Sequence, residues 1–113
     1  MSKMLMFAAF LAAVPGTVLA GDAVPAAATT TVVEIHNMKF NPVTLTISAG
    51  TKVTWVNEDT APHTVTDRDR VFHSAALDTK DSFSYTFASP GEFTYFCTIH
   101  PMMVGRIVVK PAG

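Results

Sequence analysis

The chain is poor in what many function classes require. It holds one cysteine, Cys97, among 113 residues, so no disulfide can form within it and a dinuclear copper site, which needs two cysteines, is excluded. Charged residues make up 15% of the chain and the formal net charge is −1. No basic stripe is available for nucleic acid, and no run of like charge for a membrane surface. The one dense charged stretch, "DRDR" at 67–70, alternates in sign and reads as a solvated loop. The uninterrupted apolar run Met4 to Val14 falls short of the ~20 residues of a membrane-spanning helix. Beyond the N-terminal region there is no amphipathic helical pattern and no internal repeat.

That apolar run has another reading. Lys3 precedes it, Pro15-Gly16 breaks it, and Val18-Leu19-Ala20 places small or tolerated residues where a signal peptidase reads. Residues 1–20 are therefore expected to be an export leader cut between Ala20 and Gly21. The mature protein is then soluble, without a stable membrane anchor, in a bacterial periplasm. Residues 21–31 (GDAVPAAATTT) are small and polar, a flexible leader, and 32–113 form one small domain. Losing Lys3 with the leader makes the mature chain slightly more acidic.

What the domain does have is alternation. Val43, Leu45 and Ile47 share one face of "VTLTIS"; Val53 and Trp55 share one of "KVTWVN"; Phe83, Tyr85 and Phe87 share one of "FSYTF". Phe93, Tyr95 and Cys97 fall in phase, as do Ile107 and Val109. Period two marks half-buried strands. Turn residues lie between the runs at Ala49-Gly50, Asn57-Glu58-Asp59, Ser89-Pro90-Gly91 and Pro101. With Val32–Asn37 included, the expectation is an all-β, single-domain sandwich of seven to eight strands, antiparallel with Greek-key connections. Segment 71–80 is the least regular and is expected to hold a turn or a helical stub.

Cys97 admits four readings. As a small hydrophobe it shares the inward face of Phe93 and Tyr95. An intermolecular disulfide suits an inward thiol badly. A nucleophile with a histidine base needs an oxyanion-donor loop that is not evident here. The fourth reading is a metal ligand, and its support is the neighbourhood: "CTIHPMM" packs a thiol, an imidazole and thioethers into residues 97–103. A loop turning at His100-Pro101 can fold them around one point. Upstream, "APHTV" puts His63 at the start of another strand, where a loop at the same end of the sandwich can supply a second imidazole. Two imidazoles and a thiolate alone can bind zinc. A thioether is a poor zinc ligand but a soft partner for copper, and two histidines, one cysteine and a weak axial methionine form a blue-copper electron-transfer set.

These residues bring a family into view. The chain resembles the cupredoxins, their amicyanin branch above all, with pseudoazurin and plastocyanin more distant. The likeness runs from about Val33 to Lys110 through "MKFNP", "AGTKVTWVNEDTAPHTV", "YTFASPGEFTYFC" and "CTIHPMMVGRIVV". It implies one type 1 copper ion per chain, held by His63, Cys97, His100 and Met103 through a short C-x2-H-x2-M loop. It also implies a monomeric, periplasmic electron carrier rather than an enzyme, with redox proteins such as an amine dehydrogenase or a c-type cytochrome as partners. A copper chaperone or copper-resistance protein is the alternative, since the same ligands serve it. One departure concerns Thr64, which stands where many members have an asparagine that ties the ligand loops together; such bonds tune a metal site. A second is segment 66–82, which matches poorly.

The other candidates are read as bland. Met102 is a surface residue, and with Ala61, Pro62 and Pro101 it forms an apolar patch around the outer edge of His100. His36 and His73 face solvent, and Trp55 is core packing.

Overall fold

The computed structural model describes residues 30–113. The expected export leader and most of segment 21–31 lie outside the described residues. Eight strands follow in order: β1 Thr30–His36, β2 Lys39–Asn41, β3 Thr44–Ser48, β4 Thr51–Asn57, β5 Thr66–Asp67, β6 Ser82–Phe87, β7 Gly91–Phe96 and β8 Val104–Lys110. There is no helix among the described residues, so segment 71–80 holds no helical stub. β1 begins at Thr30, slightly upstream of the boundary expected at Val32.

The strands form two four-stranded sheets, ordered β2-β1-β4-β6 and β3-β8-β7-β5. The chain passes back and forth between them, and the sandwich closes over a core set by the period-two faces. Val33 and Ile35 of β1, Val53 and Trp55 of β4, Phe87 of β6, Tyr95 of β7 and Ile107 and Val109 of β8 are all buried. Most neighbours are antiparallel, as expected, but β1 pairs with β4 and β3 with β8 in parallel. Alternation reports which face of a strand is buried but not the direction of its neighbour, so the wholly antiparallel expectation is corrected here. Val43 is corrected too. It lies outside β3 and is 53% exposed, because the strand begins only after it.

Trp55 organises the aromatic centre. Phe72 stacks on it at 5.7 Å and Tyr95 meets it edge-on at 5.4 Å. Such pairs contribute about 0.5–1.5 kcal/mol each beyond their area burial. Phe72 comes from the irregular segment, which the sequence pattern left out of the core. With Leu77 it is buried, and bridges from Thr66 to His73 and from His63 to Leu77 anchor the segment to the sandwich. Tyr95 lies opposite Gly105 on β8, where a Cβ would come within 2.4 Å of its ring. Only glycine leaves that ring its room. Burial raises the pKa of the Tyr95 phenol, which therefore stays protonated.

The β1–β2 hairpin turns through Asn37 and Met38, both at positive φ (54° and 60°). A two-residue turn of that hand matches the strand twist. For methionine this conformation is costly, about 1–2 kcal/mol. The compensation comes from another loop: the Asp59 carboxylate accepts the Asn37 amide at 2.8 Å and the Met38 amide at 3.0 Å.

Candidate metal centre

The end of the sandwich where β4 runs out and β7 gives way to β8 collects three donor side chains. His63 follows the β4–β5 turn, and Cys97 and His100 stand on the loop after β7. Their ligand atoms lie within 4.8 Å of one another. Cys97 Sγ is 3.7 Å from Nδ1 of His63 and 3.7 Å from Nδ1 of His100. Around one ion, metal–sulfur and metal–nitrogen bonds of about 2.3 and 2.05 Å at tetrahedral to trigonal angles separate sulfur from nitrogen by about 3.6–3.8 Å. The spacing of the donors therefore fits a single ion between them.

His63 and Cys97 are both held by hydrogen bonds with neighbouring loop residues. The buried His63 places Nε2 at 2.9 Å from Asp59 Oδ2. Burial raises the pKa of Asp59, but the Met38 amide, the His63 ring and the Asn37 amide outweigh it, and the carboxyl sits below its usual range. An ionised carboxylate can only accept, so Nε2 of His63 donates to it, and Nδ1 is the ring nitrogen that faces Cys97. A carboxylate behind a metal-binding histidine fixes its tautomer and ring orientation in this way. Asp59 is held in turn by Asn57, which is wholly buried. Its Oδ1 accepts the Asp59 amide at 2.9 Å, and its Nδ2 donates to the carbonyls of Ala61 and Leu77, both at 2.9 Å.

Thr64 does the corresponding work for Cys97. Its amide donates to Cys97 Sγ at 3.3 Å. Its hydroxyl accepts the Thr98 amide at 2.8 Å and lies 2.9 Å from the Thr98 hydroxyl. The two loops that carry the donors are thus clasped by a pair of threonines. The 97–103 loop also closes on itself, since the Cys97 amide donates to the Met103 carbonyl at 3.1 Å and the Met103 amide to the His100 carbonyl at 2.9 Å. Met103 is buried within the hydrophobic core at the foot of this loop.

His63, Cys97 and His100 are therefore brought together, and Met103 is buried beside them on the shared loop. His63 and Cys97 are inaccessible, while His100 is half-buried. Met102, at 93% the most exposed large hydrophobic among the described residues, projects from the loop, and Pro62 and Pro101 are also exposed. His36 and His73 face solvent. Asn57 and Asp59, read from sequence only as turn residues, are the functional neighbours that pattern reading missed. The available signal was an acidic residue four positions before a candidate ligand. In the "DRDR" stretch, Asp67 departs from the solvated reading: it is buried in β5 and accepts the amides of Asp69 and Val71.

Known proteins resemble this chain in sequence and fold. A model of the cupredoxin-like domain matches residues 4–109. Amicyanin-alpha of Methylorubrum extorquens is 36% identical over 96% of this chain and 99% of its own length. The amicyanin of Paracoccus denitrificans is 37% identical over 70% of this chain and 64% of its own. A solved copper(I) form of an amicyanin variant superposes with a TM-score of 0.68 at 30% identity, covering 72% of this chain and 82% of that one.

Proposed function

The chain belongs to the cupredoxin-like family, and from that premise we propose that it is a blue-copper electron carrier whose one copper ion is held by His63, Cys97, His100 and Met103. The observation that carries the reading is the three-donor cluster, in which the far nitrogen of His63 is committed to Asp59 and the Cys97 sulfur accepts the Thr64 amide. Bound there, copper supplies a one-electron couple between Cu(II) and Cu(I).

The residues around it do the rest. Asp59 holds His63 in the tautomer that ligates through Nδ1. Cys97 ligates as the thiolate, which a bound metal enforces, and the Thr64 amide stabilises charge on that sulfur. The Thr64–Thr98 clasp keeps the two donor loops at one separation whatever the metal's charge. A site that need not rearrange suits both oxidation states. His100 is the donor nearest solvent, and its half-exposed ring is the route for electrons. The exposed Pro62, Pro101 and Met102, with the half-buried Ala61, give that route an apolar rim that suits a transient encounter.

In this reading residues 1–20 are an export leader cut after Ala20, the stretch before Thr30 leads into the domain, and the domain from β1 onward works as a monomer in the periplasm. The donor and acceptor are redox proteins, for which likeness to the amicyanins suggests an amine dehydrogenase and a c-type cytochrome. A copper chaperone would use the same ligands but must surrender its metal. Repeated reduction and reoxidation in the presence of a copper(I) chelator separates the two. A carrier keeps its copper through many cycles; loss of the metal to the chelator on the first reduction would make the protein a copper donor instead.

A further inference from the structure

Asp59 stands between two imidazoles, and only one of them belongs to the metal centre. Its Oδ2 accepts from Nε2 of the buried His63, and its Oδ1 lies 3.9 Å from Nδ1 of His36. His36 ends β1 with its side chain 58% exposed. The hairpin that follows fixes this spacing, because the Asn37 and Met38 amides donate to the same carboxylate. The Asn41 side-chain amide also donates to the His36 carbonyl, at 3.3 Å. A surface imidazole, a carboxylate and a buried imidazole thus run in sequence from solvent to the metal centre.

The charges around His36 leave Asp59 as its partner. Glu34 shares the outward, exposed face of β1, and Lys39 faces His36 across the hairpin. Glu58, whose amide donates to the Ile35 carbonyl, is engaged by Lys80. Asp59 is the one carboxylate in ion-pair reach of the His36 ring among the described residues. A carboxylate bonded to a ligating histidine raises the basicity of that ligand, and a cation beside the carboxylate draws part of that charge away. Imidazole gains its cationic proton between about pH 8 and 5 in many proteins.

We propose that His36 is a positioning residue for electron transfer: acting through Asp59, its charge sets how strongly the carboxylate polarises His63, and so the balance between the two copper states. The proposal rests on the carrier reading. A protonated His36 favours Cu(I), because the reduced site carries one positive charge fewer, so the potential rises as the pH falls. Linkage makes the effect reciprocal: as an electron from the donor protein reaches the site, a fraction of a proton passes from water to the His36 ring. The pair is open to solvent on the His36 side, which limits the effect to about two- to fivefold in the Cu(I)/Cu(II) ratio, or about 20–40 mV at about 59 mV per tenfold change.

The test measures the reduction potential of the copper protein between about pH 8 and pH 5 in wild type, His36→Gln and His73→Gln. His73 is an exposed histidine with no carboxylate in ion-pair reach among the described residues. Groups that titrate at the metal centre itself act in all three proteins and cancel in the difference. Wild type and His36→Gln should coincide at the alkaline end and part by about two- to fivefold in the Cu(I)/Cu(II) ratio at the acid end, wild type the higher, while His73→Gln follows wild type. The metal-free, isotope-labelled protein supplies a second readout. There the Asp59 carboxyl carbon and His63 Nε2 should shift with the midpoint of the His36 ring, and that midpoint should vanish from both in His36→Gln. Parallel potential curves in wild type and His36→Gln, the same loss in His73→Gln, or Asp59 and His63 resonances blind to the His36 midpoint would each overturn the proposal. A protein without a reversible copper couple would instead sink the carrier reading, and the metal-free resonances would still decide whether His36 acts on Asp59 and His63.

Discussion

Asp59→Asn probes the residue on which turn and metal centre both depend. The carboxylate accepts three N–H groups, from Asn37, Met38 and the His63 ring, at 2.8–3.0 Å. An amide has one accepting oxygen. In its better orientation that oxygen keeps Met38 and His63, which share Oδ2, and turns an NH2 against the Asn37 amide. Two charge-assisted bonds become neutral, a loss of about 1 kcal/mol each, and the third is lost outright for about 1 kcal/mol more, since Asn37 is exposed to water. The expected cost is about 2–3 kcal/mol, which lowers the melting temperature of the metal-free domain by roughly 10 °C or more. His63 exchanges a charged acceptor for a neutral amide oxygen that holds its ring less firmly, and copper affinity should fall about 10-fold. Thermal unfolding of the metal-free variant and competitive copper titration read the two effects separately. A variant that melts like wild type and binds copper as tightly would refute the reasoning, because Asp59 would then neither brace the turn nor orient the histidine.

Other substitutions test the remaining supports. Gly105→Ala drives a methyl to 2.4 Å from the Tyr95 ring, and the overpacking should cost about 1–3 kcal/mol in urea unfolding, while Tyr95→Phe should leave stability nearer wild type. Thr64→Val removes the acceptor of the Thr98 amide and should cost about 1–2 kcal/mol; Thr64→Ser should restore most of it, and the valine variant should show faster hydrogen exchange at Thr98. Phe72→Ala withdraws a buried ring stacked on Trp55 and should destabilise by about 3–5 kcal/mol, as measured by equilibrium denaturation.

Much of this architecture was legible because strands announce themselves by period. Trp55, Tyr95, Cys97 and Ile107 were placed inward by alternation and are buried. The donor cluster could be read because cysteine, histidine and methionine crowd into one short loop. Other features left no periodic trace. Phe72 and Leu77 reach the core from a segment tied in by isolated bridges, so no alternation flanks them. Asp59 sits in a polar turn, and polar turns look alike whether their side chains meet water or brace a histidine. The parallel β1–β4 and β3–β8 pairs depend on how strands meet across the fold, which a single strand's pattern does not encode. Thr64 was noticed only as a departure, and its place is explained by the partner hydroxyl of Thr98, itself unremarked in the sequence.

The central claim is that Cys97 bonds a single copper ion in a site built by both donor loops. Titrating the metal-free protein with Cu(II) while recording the visible spectrum tests it most directly, alongside Cys97→Ser. An intense blue band that saturates at one copper per chain, bleaches reversibly on reduction and is missing from the serine variant is the predicted result. Only the pale absorption of an ordinary Cu(II) site in the native protein, or an unchanged intense band in the variant, would contradict it.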